Sequence, residues 1–179
     1  MFDRQTLVAQ LRAYHTSFSE EHDFIKPFLE LLAQKDCFER TCFPGHITGS
    51  AWIVDRSREH VLLVHHAKLN KWLQPGGHAD GDDNILRVAL REAEEETGLK
   101  NIKALEDKIF DIDIHTIPAR KEIPEHLHYD VRFILTGDIS EKIVVSEESH
   151  EVTWIRLKDL QEFNQEQSVL RMRDKLTLL

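Results

Sequence analysis

The sequence predicts a layered α/β (α+β) domain with additional helices at its N-terminus. Short β-rich segments lie on both sides of one strong amphipathic helix, a helical tail follows the last of them, and two helical segments precede the first. A chain of 179 residues is long enough to bury one sizeable core. We therefore divide it into an N-terminal helical extension packed on the core, residues 1–43, and a main domain, residues 44–179.

The N-terminal extension is predicted to form two helices. Its apolar residues recur at spacings of three and four, which place them on one face of each helix. Asp3 is suited to cap the first helix, and Pro27 is tolerable in the second only within the first turn. We interpret the pair as a helical hairpin docked on the core; the alternative is a partner-binding surface. The apolar positions are Leu7, Leu11, Tyr14, Phe18, Phe24, Phe28, Leu31 and Leu32.

From residue 44 onward the sequence predicts strands. Residues 47–54 and 61–66 are apolar runs separated by a polar turn, which indicates a hairpin. Three later segments, 102–117, 127–137 and 150–157, are further strand candidates, and the first of them is expected to break into two. The tail from 158 to 179 is predicted to be helical.

Composition excludes several classes of partner. The 23 Lys and Arg against 32 Asp and Glu give a net charge of −9 without a basic stripe, which argues against binding to duplex nucleic acid or to an anionic membrane. No apolar run approaches the roughly 18 to 20 residues of a membrane span, and Asp3 and Arg4 stand where a signal peptide would be apolar. We expect a cytoplasmic protein in which Cys37 and Cys42 are ordinary thiols.

The strongest helix signal, residues 84–96, carries a cluster of carboxylates. Glu92, Glu95 and Glu96 stand at i, i+3 and i+4, so they project from one side of the helix. Such like-charged pairs cost a few tenths of a kcal/mol each, and Arg91, about 100° around the helix from Glu92, neutralises only part of the charge. A divalent cation such as Mg²⁺ is better suited, because it prefers carboxylate oxygens and bridges to phosphate.

The loop before this helix supports a ligand site. Gly76 and Gly77 have no Cβ, so their backbone can approach a metal or a substrate closely. An EF-hand is excluded, because Ile85 and Arg91 occupy the positions where a calcium loop needs glycine and glutamate.

Over these residues the chain resembles the Nudix hydrolases. Their signature is Gly, five residues, Glu, seven residues, Arg-Glu, an aliphatic residue, any residue, Glu-Glu, any residue, Gly and an aliphatic residue. Asp83 replaces the first glutamate, and Ala93 is accepted as a small aliphatic residue. The similarity extends over about residues 44–179. The residues in register with the signature are Gly77, Asp83, Arg91, Glu92, Ala93, Glu95, Glu96, Gly98 and Leu99.

The resemblance implies a Nudix-like α/β/α sandwich with a mixed β-sheet. It implies hydrolysis of a diphosphate, with Mg²⁺ or Mn²⁺ as cofactor, by attack of water at phosphorus. Carried over by position, Glu92, Glu95 and Arg91 are the expected catalytic residues, with Arg91 orienting a glutamate. The expected metal ligands are Glu92, Glu95, Glu96 and the carbonyl of Gly76.

Residues outside the signature are candidates for substrate binding. We assign Trp72, Arg120, His128 and Glu148 to this role, with Lys121 beside Arg120. The alternative to a role in substrate binding is that Trp72 only packs against its neighbours and that the others are solvated surface charges. His126, His128 and Asp130 alternate, so they are expected on one strand face, where they serve as metal or phosphate ligands or only as a polar surface. Further candidates for a distant acid are Glu122, Glu147 and Glu151.

The sequence thus favours a Nudix-type diphosphohydrolase. Its substrate would be a nucleoside diphosphate linked to another moiety, or a nucleoside triphosphate. The alternative is a nucleotide- or metabolite-binding sensor with weak catalysis, for which the substitution of Asp83 leaves room. A prenyl diphosphate isomerase ranks last, because Cys37 and Cys42 precede the first core strand. The expected partner is a small-molecule diphosphate, and a homodimer is left open.

Overall fold

A mixed β-sheet organises the computed structural model, which describes residues 2–120 and 122–178. Helices cover both faces of the sheet, in agreement with the predicted fold class. The helices are α1 (Arg4–Arg12), α2 (Ser19–Leu31), α3 (Ile85–Thr97), α4 (Leu160–Phe163) and α5 (Gln167–Leu176). The strands are β1 (Gly45–Val54), β2 (His60–His66), β3 (Lys71–Leu73), β4 (Gly76–His78), β5 (Lys103–Ala104), β6 (Asp111–Ile117), β7 (His126–Thr136) and β8 (Ser149–Arg156), and a short 3₁₀ helix, Leu157–Asp159, precedes α4.

The central pair of the sheet is β1 and β7, which run parallel along the whole of β1. Strand β7 carries β6 and β5 antiparallel on its other side. The other side of β1 is divided, because β4 pairs with Thr48–Ser50 while β2 pairs only with Ile53 and Val54. Strands β3 and β8 extend the sheet from β2. The early half of β1 therefore lies between β4 and β7.

Alternate residues of β1 face two separate apolar clusters. Ile47 and Ile53 face the cluster that contains α1, α2 and α3, whereas Trp52 and Val54 face the cluster beneath α4 and α5. All ten residues of β1 are buried, because the strand lies in the centre of the sheet, with helices over one face and, at Trp52 and Val54, over the other. This explains why the strand reads as an apolar run interrupted by a few polar residues.

The N-terminal helices pack against the sheet. The side chain of Asp3 accepts a 2.8 Å hydrogen bond from the Thr6 N–H, which confirms the predicted cap of α1. The expectation for Pro27 is wrong, since Pro27 is the ninth residue of α2 and not part of its first turn. Burial of Phe28 and Leu31 just beyond the proline stabilises the helix despite the missing N–H.

A buried ion pair joins α2 to the C-terminal helix. Glu21 is fully buried, and its carboxylate lies 2.5 Å from the Lys175 ammonium. It also accepts hydrogen bonds from the Tyr14 hydroxyl (2.7 Å) and from the Ile112 N–H of β6 (3.1 Å).

The division of the chain into an extension, residues 1–43, and a main domain, residues 44–179, stays a prediction.

Of two further predictions about segments of the chain, one is confirmed and one is wrong. The segment 102–117 is broken into β5 and β6, as expected. The tail is not one helix, because the backbone is extended at Asn164, whose side-chain amide donates a 2.7 Å hydrogen bond to the Trp72 carbonyl.

None of the helices in residues 2–120 and 122–178 is long and apolar enough to cross a membrane.

Candidate active site

A cavity of about 680 Å³ opens on one face of the sheet, beside α3. Its walls come from the early half of β1, from β4, from β7 and from the exposed side of α3. Gly76 and five signature residues line it: Gly77, Arg91, Glu92, Glu95 and Glu96. Residues that the sequence predicted as one site are therefore brought together around one space.

Helix α3 presents the three carboxylates because both of its ends are fixed. The Asn84 side chain caps the N-terminus by accepting a 2.9 Å hydrogen bond from the Arg87 N–H. Gly98 ends the helix at a φ of 72°, the left-handed conformation that glycine adopts without strain. Along the helix Glu92 is half-buried, Glu95 exposed and Glu96 buried, so the cluster runs from solvent toward the sheet.

The two glycines of β4 allow the helix to approach the sheet closely. The Gly76 N–H donates a 2.8 Å hydrogen bond to the Glu96 carboxylate. A Cβ on Gly76 would lie 2.1 Å from the Ser50 hydroxyl oxygen, and one on Gly77 would lie 2.5 Å from the Glu92 carboxyl carbon. Any other side chain at either position would displace a residue of the site.

The environment makes two of the carboxylates costly to ionise. Burial raises the pKa of Glu96 to about 8, an effect that the nearby acids increase and the hydrogen bond from Gly76 opposes. Burial also raises the pKa of Glu92 to about 6; Arg91 opposes this rise, while Glu95 and Glu148 add to it. Burial is thus the main reason why both carboxylates retain protons more tightly, and the neighbouring acids add to its effect.

Arg91 links the helix to β4. Its guanidinium lies 2.9 Å from the Glu92 carboxylate and donates a 2.8 Å hydrogen bond to the His78 carbonyl. These two contacts hold the Glu92 side chain against the glycine strand. The ion pair is partly exposed, since 39% of the Arg91 side chain is accessible, so solvent screens it.

The donor set fits a hard divalent cation. Glu92, Glu95 and Glu96 offer carboxylate oxygens at one wall of the cavity, and their mutual repulsion adds to the effect of burial on the pKa values of Glu92 and Glu96. Oxygen ligands and an excess of negative charge are what Mg²⁺ and Mn²⁺ sites require. Nudix hydrolases generally use divalent metals, and these residues suit that chemistry.

The floor of the cavity is a hydrogen-bonded polar network that the sequence analysis missed. The buried Asp130 carboxylate accepts hydrogen bonds from Thr48 (3.0 Å) and Ser50 (2.7 Å) of β1. The Arg132 guanidinium donates a 2.8 Å hydrogen bond to the same carboxylate. The alternation of His126, His128 and Asp130 had indicated a polar face on β7, and the alternation of polar residues at 46, 48 and 50 was the further signal that could have revealed its continuation on β1.

The proposed substrate-binding residues divide into two groups. Arg120, His128 and Glu148 line the cavity. Trp72 is not among the described residues that line it; its ring stacks on His65 (4.9 Å, 12°) and contacts the edge of Phe163. Lys121 lies outside the described residues.

The other acids considered from the sequence occupy different places. Among the described lining residues, Glu148 is present, while Glu122, Glu147 and Glu151 are not. His126, His128 and Asp130 do share one strand face of β7, as their alternation predicted. Of these three, His128 and Asp130 face the cavity.

Asp83, where the signature pattern breaks, lies outside this cavity as far as its described lining shows. Its side chain is exposed in the loop before α3, and it accepts a 3.4 Å hydrogen bond from the Arg4 N–H at the start of α1. The shorter side chain therefore faces the N-terminal helix.

Comparison with known proteins agrees with this geometry. A family model described as the NUDIX domain matches residues 46–176. A bis(5'-nucleosyl)-tetraphosphatase of Rattus norvegicus is 28% identical over 101 residues, 56% of this chain and 66% of that protein. A probable DHNTP pyrophosphohydrolase of Lactococcus lactis is 26% identical over 133 residues, 73% of this chain and 78% of that protein.

A third relative is similar over a shorter segment and is a longer protein than this chain. The m7GpppN-mRNA hydrolase NUDT17 of Xenopus laevis is 38% identical over 61 residues, which are 31% of this chain. The chain spans 21% of the length of that hydrolase and 66% of the length of the rat tetraphosphatase.

One solved structure also covers the N-terminal helices. A UDP-X diphosphatase superposes with a TM-score of 0.57 over 97% of this chain and 92% of its own, at 15% identity. At that identity the likeness shows a common fold, and it extends beyond the segment that the family model matches.

Proposed function

The chain belongs to the NUDIX domain family, whose model matches residues 46–176. From this premise we propose that it is a pyrophosphohydrolase, which cleaves the diphosphate of a nucleoside diphosphate linked to another moiety, or of a nucleoside triphosphate, with Mg²⁺ or Mn²⁺. The observation that carries the proposal is the set of carboxylates on α3 facing two glycines across one cavity. The Arg40, Lys68 and Arg120 side chains line the same cavity and supply positive charge for a polyphosphate.

In this proposal the residues of α3 and β4 have separate roles in metal binding and proton transfer. Glu92, Glu95, Glu96 and the Gly76 carbonyl would hold the metal. When bound, the metal neutralises phosphate charge and increases the acidity of water. Glu92 and Glu95 are the candidates to accept a proton from the attacking water, and Arg91 orients Glu92 through their 2.9 Å ion pair. Attack occurs at phosphorus, without a covalent enzyme intermediate.

The proposal also covers where the enzyme acts and which molecules it binds. We expect the enzyme to act in the cytoplasm on a small-molecule diphosphate, without duplex nucleic acid or a membrane as partner. The oligomeric state is left open between a monomer and a homodimer, and sedimentation at several protein concentrations distinguishes the two. The binding-only alternative rested on Asp83, and the position of that residue provides no observation in its favour.

A substrate panel tests the proposal. The panel contains a dinucleoside tetraphosphate, dihydroneopterin triphosphate, UDP-linked compounds and nucleoside triphosphates, each with Mg²⁺ and with chelator, and products are separated by chromatography. Turnover of one member, with ¹⁸O from solvent in one phosphoryl product, is the expected result. A trapped phosphoenzyme, or binding of the panel without turnover, would contradict it.

A further inference from the structure

Three histidines from three strands converge beside the cavity. His46 comes from β1, His78 from β4 and His128 from β7. Each offers one ring nitrogen to the group, and these nitrogens all lie within 4.8 Å of one another. The convergence follows from the sheet topology, because β4 and β7 flank the early half of β1 on its two sides and His46 is directly paired with His128.

Two of the three histidines, His46 and His128, have a buried ring nitrogen without a hydrogen-bond partner among the described residues. His46 is only 1% exposed. Its Nε2 is buried and has no hydrogen-bond partner among the described residues, and the Nε2 of His128 is likewise buried without a partner. A buried polar atom without a partner costs roughly 1–3 kcal/mol. Because almost all buried polar groups in proteins are satisfied, two such atoms in one cluster indicate a missing ligand.

The other nitrogen of His46 is already engaged in the way metal-binding histidines show. Its Nδ1 lies 3.3 Å from the Cys42 carbonyl, which can only accept, so Nδ1 carries the proton and the lone pair is on Nε2. A hydrogen bond of this kind fixes the tautomer and the ring orientation of a metal ligand. Burial also lowers the pKa of His46 and lowers that of His128 to about 2, so both rings are neutral.

The neighbouring His115 and His126 differ, because neither belongs to the group of described ring nitrogens within 4.8 Å of one another and neither has a buried nitrogen without a partner. The Nδ1 of His115 lies 3.1 Å from the Asp113 carboxylate, and the Nδ1 of His126 lies 2.9 Å from the Pro124 carbonyl. Their rings pack against His128 and His46 at centroid distances of 5.5 Å and 5.1 Å, respectively. They therefore support the cluster from outside.

We propose that His46, His78 and His128 form a second metal site, separate from the carboxylates, which binds a divalent transition metal of the zinc class. With Zn–N distances of about 2.0–2.1 Å, the nitrogens of a tetrahedral site lie about 3.4 Å apart. Nitrogens already within 4.8 Å would reach that spacing by rotation of the His78 and His128 side chains, while the Cys42 carbonyl holds His46. Imidazole selects zinc-like metals, whereas Mg²⁺ prefers oxygen, so the two sites select different cations.

The fourth position of this site would face the substrate. His78 and His128 line the cavity, while His46 lies behind them in the sheet. Three protein ligands and one open position are the arrangement of zinc sites that bind water or a substrate oxygen. The site would thus offer an additional positive charge to an anionic group in the same cavity, and its existence does not depend on the diphosphatase proposal.

Cobalt titration tests this site directly. Purified full-length protein is titrated with Co²⁺ in excess Mg²⁺, which occupies the carboxylates, and visible absorption is recorded. We expect the strong bands of four-coordinate Co²⁺ at a stoichiometry of one, and their loss when Zn²⁺ is added. A weak octahedral spectrum alone would overturn the proposal.

Four variants assign the ligands. His46→Gln and His128→Gln are expected to weaken Co²⁺ binding at least about 10-fold, the effect already seen for lost supporting contacts of metal ligands. His115→Gln, the adjacent control, and Glu96→Gln, which alters the carboxylate site, are expected to keep the bands. Circular dichroism without metal reports folding; if His46→Gln does not fold, His128→Gln decides. Unchanged binding by folded His128→Gln would refute the assignment.

Discussion

The carboxylate of Glu96 accepts a 2.8 Å hydrogen bond from the backbone N–H of Gly76. This contact joins the helix of the signature to its glycine strand, and it holds an acid that is only 9% exposed at the wall of the cavity. Burial raises the pKa of that acid to about 8, so the folded protein retains a proton there that the unfolded chain releases at a lower pH.

Stability of the metal-free protein should depend on this proton. Since the folded state binds it more tightly, the free energy of unfolding is expected to fall as pH rises from about 4.5 to about 8. Urea denaturation across this range in the presence of chelator measures the slope. Glu96→Gln should flatten it, whereas Glu94→Gln, an exposed neighbour on the same helix, should not. Parallel slopes for wild type and Glu96→Gln would rule out this role of Glu96.

Catalysis should depend on charge at the cavity wall. Glu92→Gln and Glu95→Gln each remove a negative charge with little change of shape, and we expect kcat to fall at least roughly 10²-fold. Glu94→Gln is the matched control, because Glu94 is exposed and absent from the described lining of the cavity. Steady-state kinetics on a substrate found in the panel measures the effect. Wild-type kcat in both cavity variants would exclude these residues from the mechanism.

The glycine strand should not tolerate a side chain. Gly76→Ala places a methyl group 2.1 Å from the Ser50 hydroxyl and 2.9 Å from its Cα, so the backbone must move. Overpacking of this kind costs roughly 1–3 kcal/mol, and denaturant unfolding measures it. At Gly137 the nearest atoms would be 3.3 Å away, so Gly137→Ala should cost less. Equal losses in the two variants would contradict the close approach of the strands.

The departure from the signature at Asp83 should matter little for chemistry. Asp83 is exposed and contacts the Arg4 N–H rather than the described residues of the cavity. Asp83→Ala is therefore expected to change kcat less than about twofold and stability by about 0.5 kcal/mol or less, as for ordinary surface sites. A loss of kcat beyond tenfold would show that this position acts on the metal or the substrate, for example through water.

The N-terminal segment should fold as part of the same unit as the core. Glu21→Ala removes the 2.5 Å partner of the buried Lys175 ammonium, which keeps its 2.8 Å pair with Asp111, and we expect a loss of roughly 1–3 kcal/mol of unfolding free energy. Glu20→Ala is the control, because Glu20 is about half exposed and its pair with Arg171 is screened. One cooperative transition, shifted only in Glu21→Ala, supports residues 1–43 as a packed extension; an unshifted transition contradicts it.

Much of the site was predictable because its signals are local. The three glutamates of α3 share a side through helical spacing alone, and the glycines precede them within the same short segment. The breaks in regular structure were harder to predict. Pro27 lies inside α2 because apolar burial beyond it outweighs the local preference, and the tail is interrupted where Asn164 bonds to a distant carbonyl.

By itself, the sequence determined the family, the layered fold and the carboxylate wall, because each depends on residues within one or two turns of helix or on a fixed local motif. Only the tertiary structure decided which strands are neighbours. That choice placed Thr48 and Ser50 under Asp130, turned Trp72 toward His65, and brought His46, His78 and His128 together. Residues so far apart in the chain leave no local pattern, and the pairing of β1 with β4 and β7 is what makes them a site.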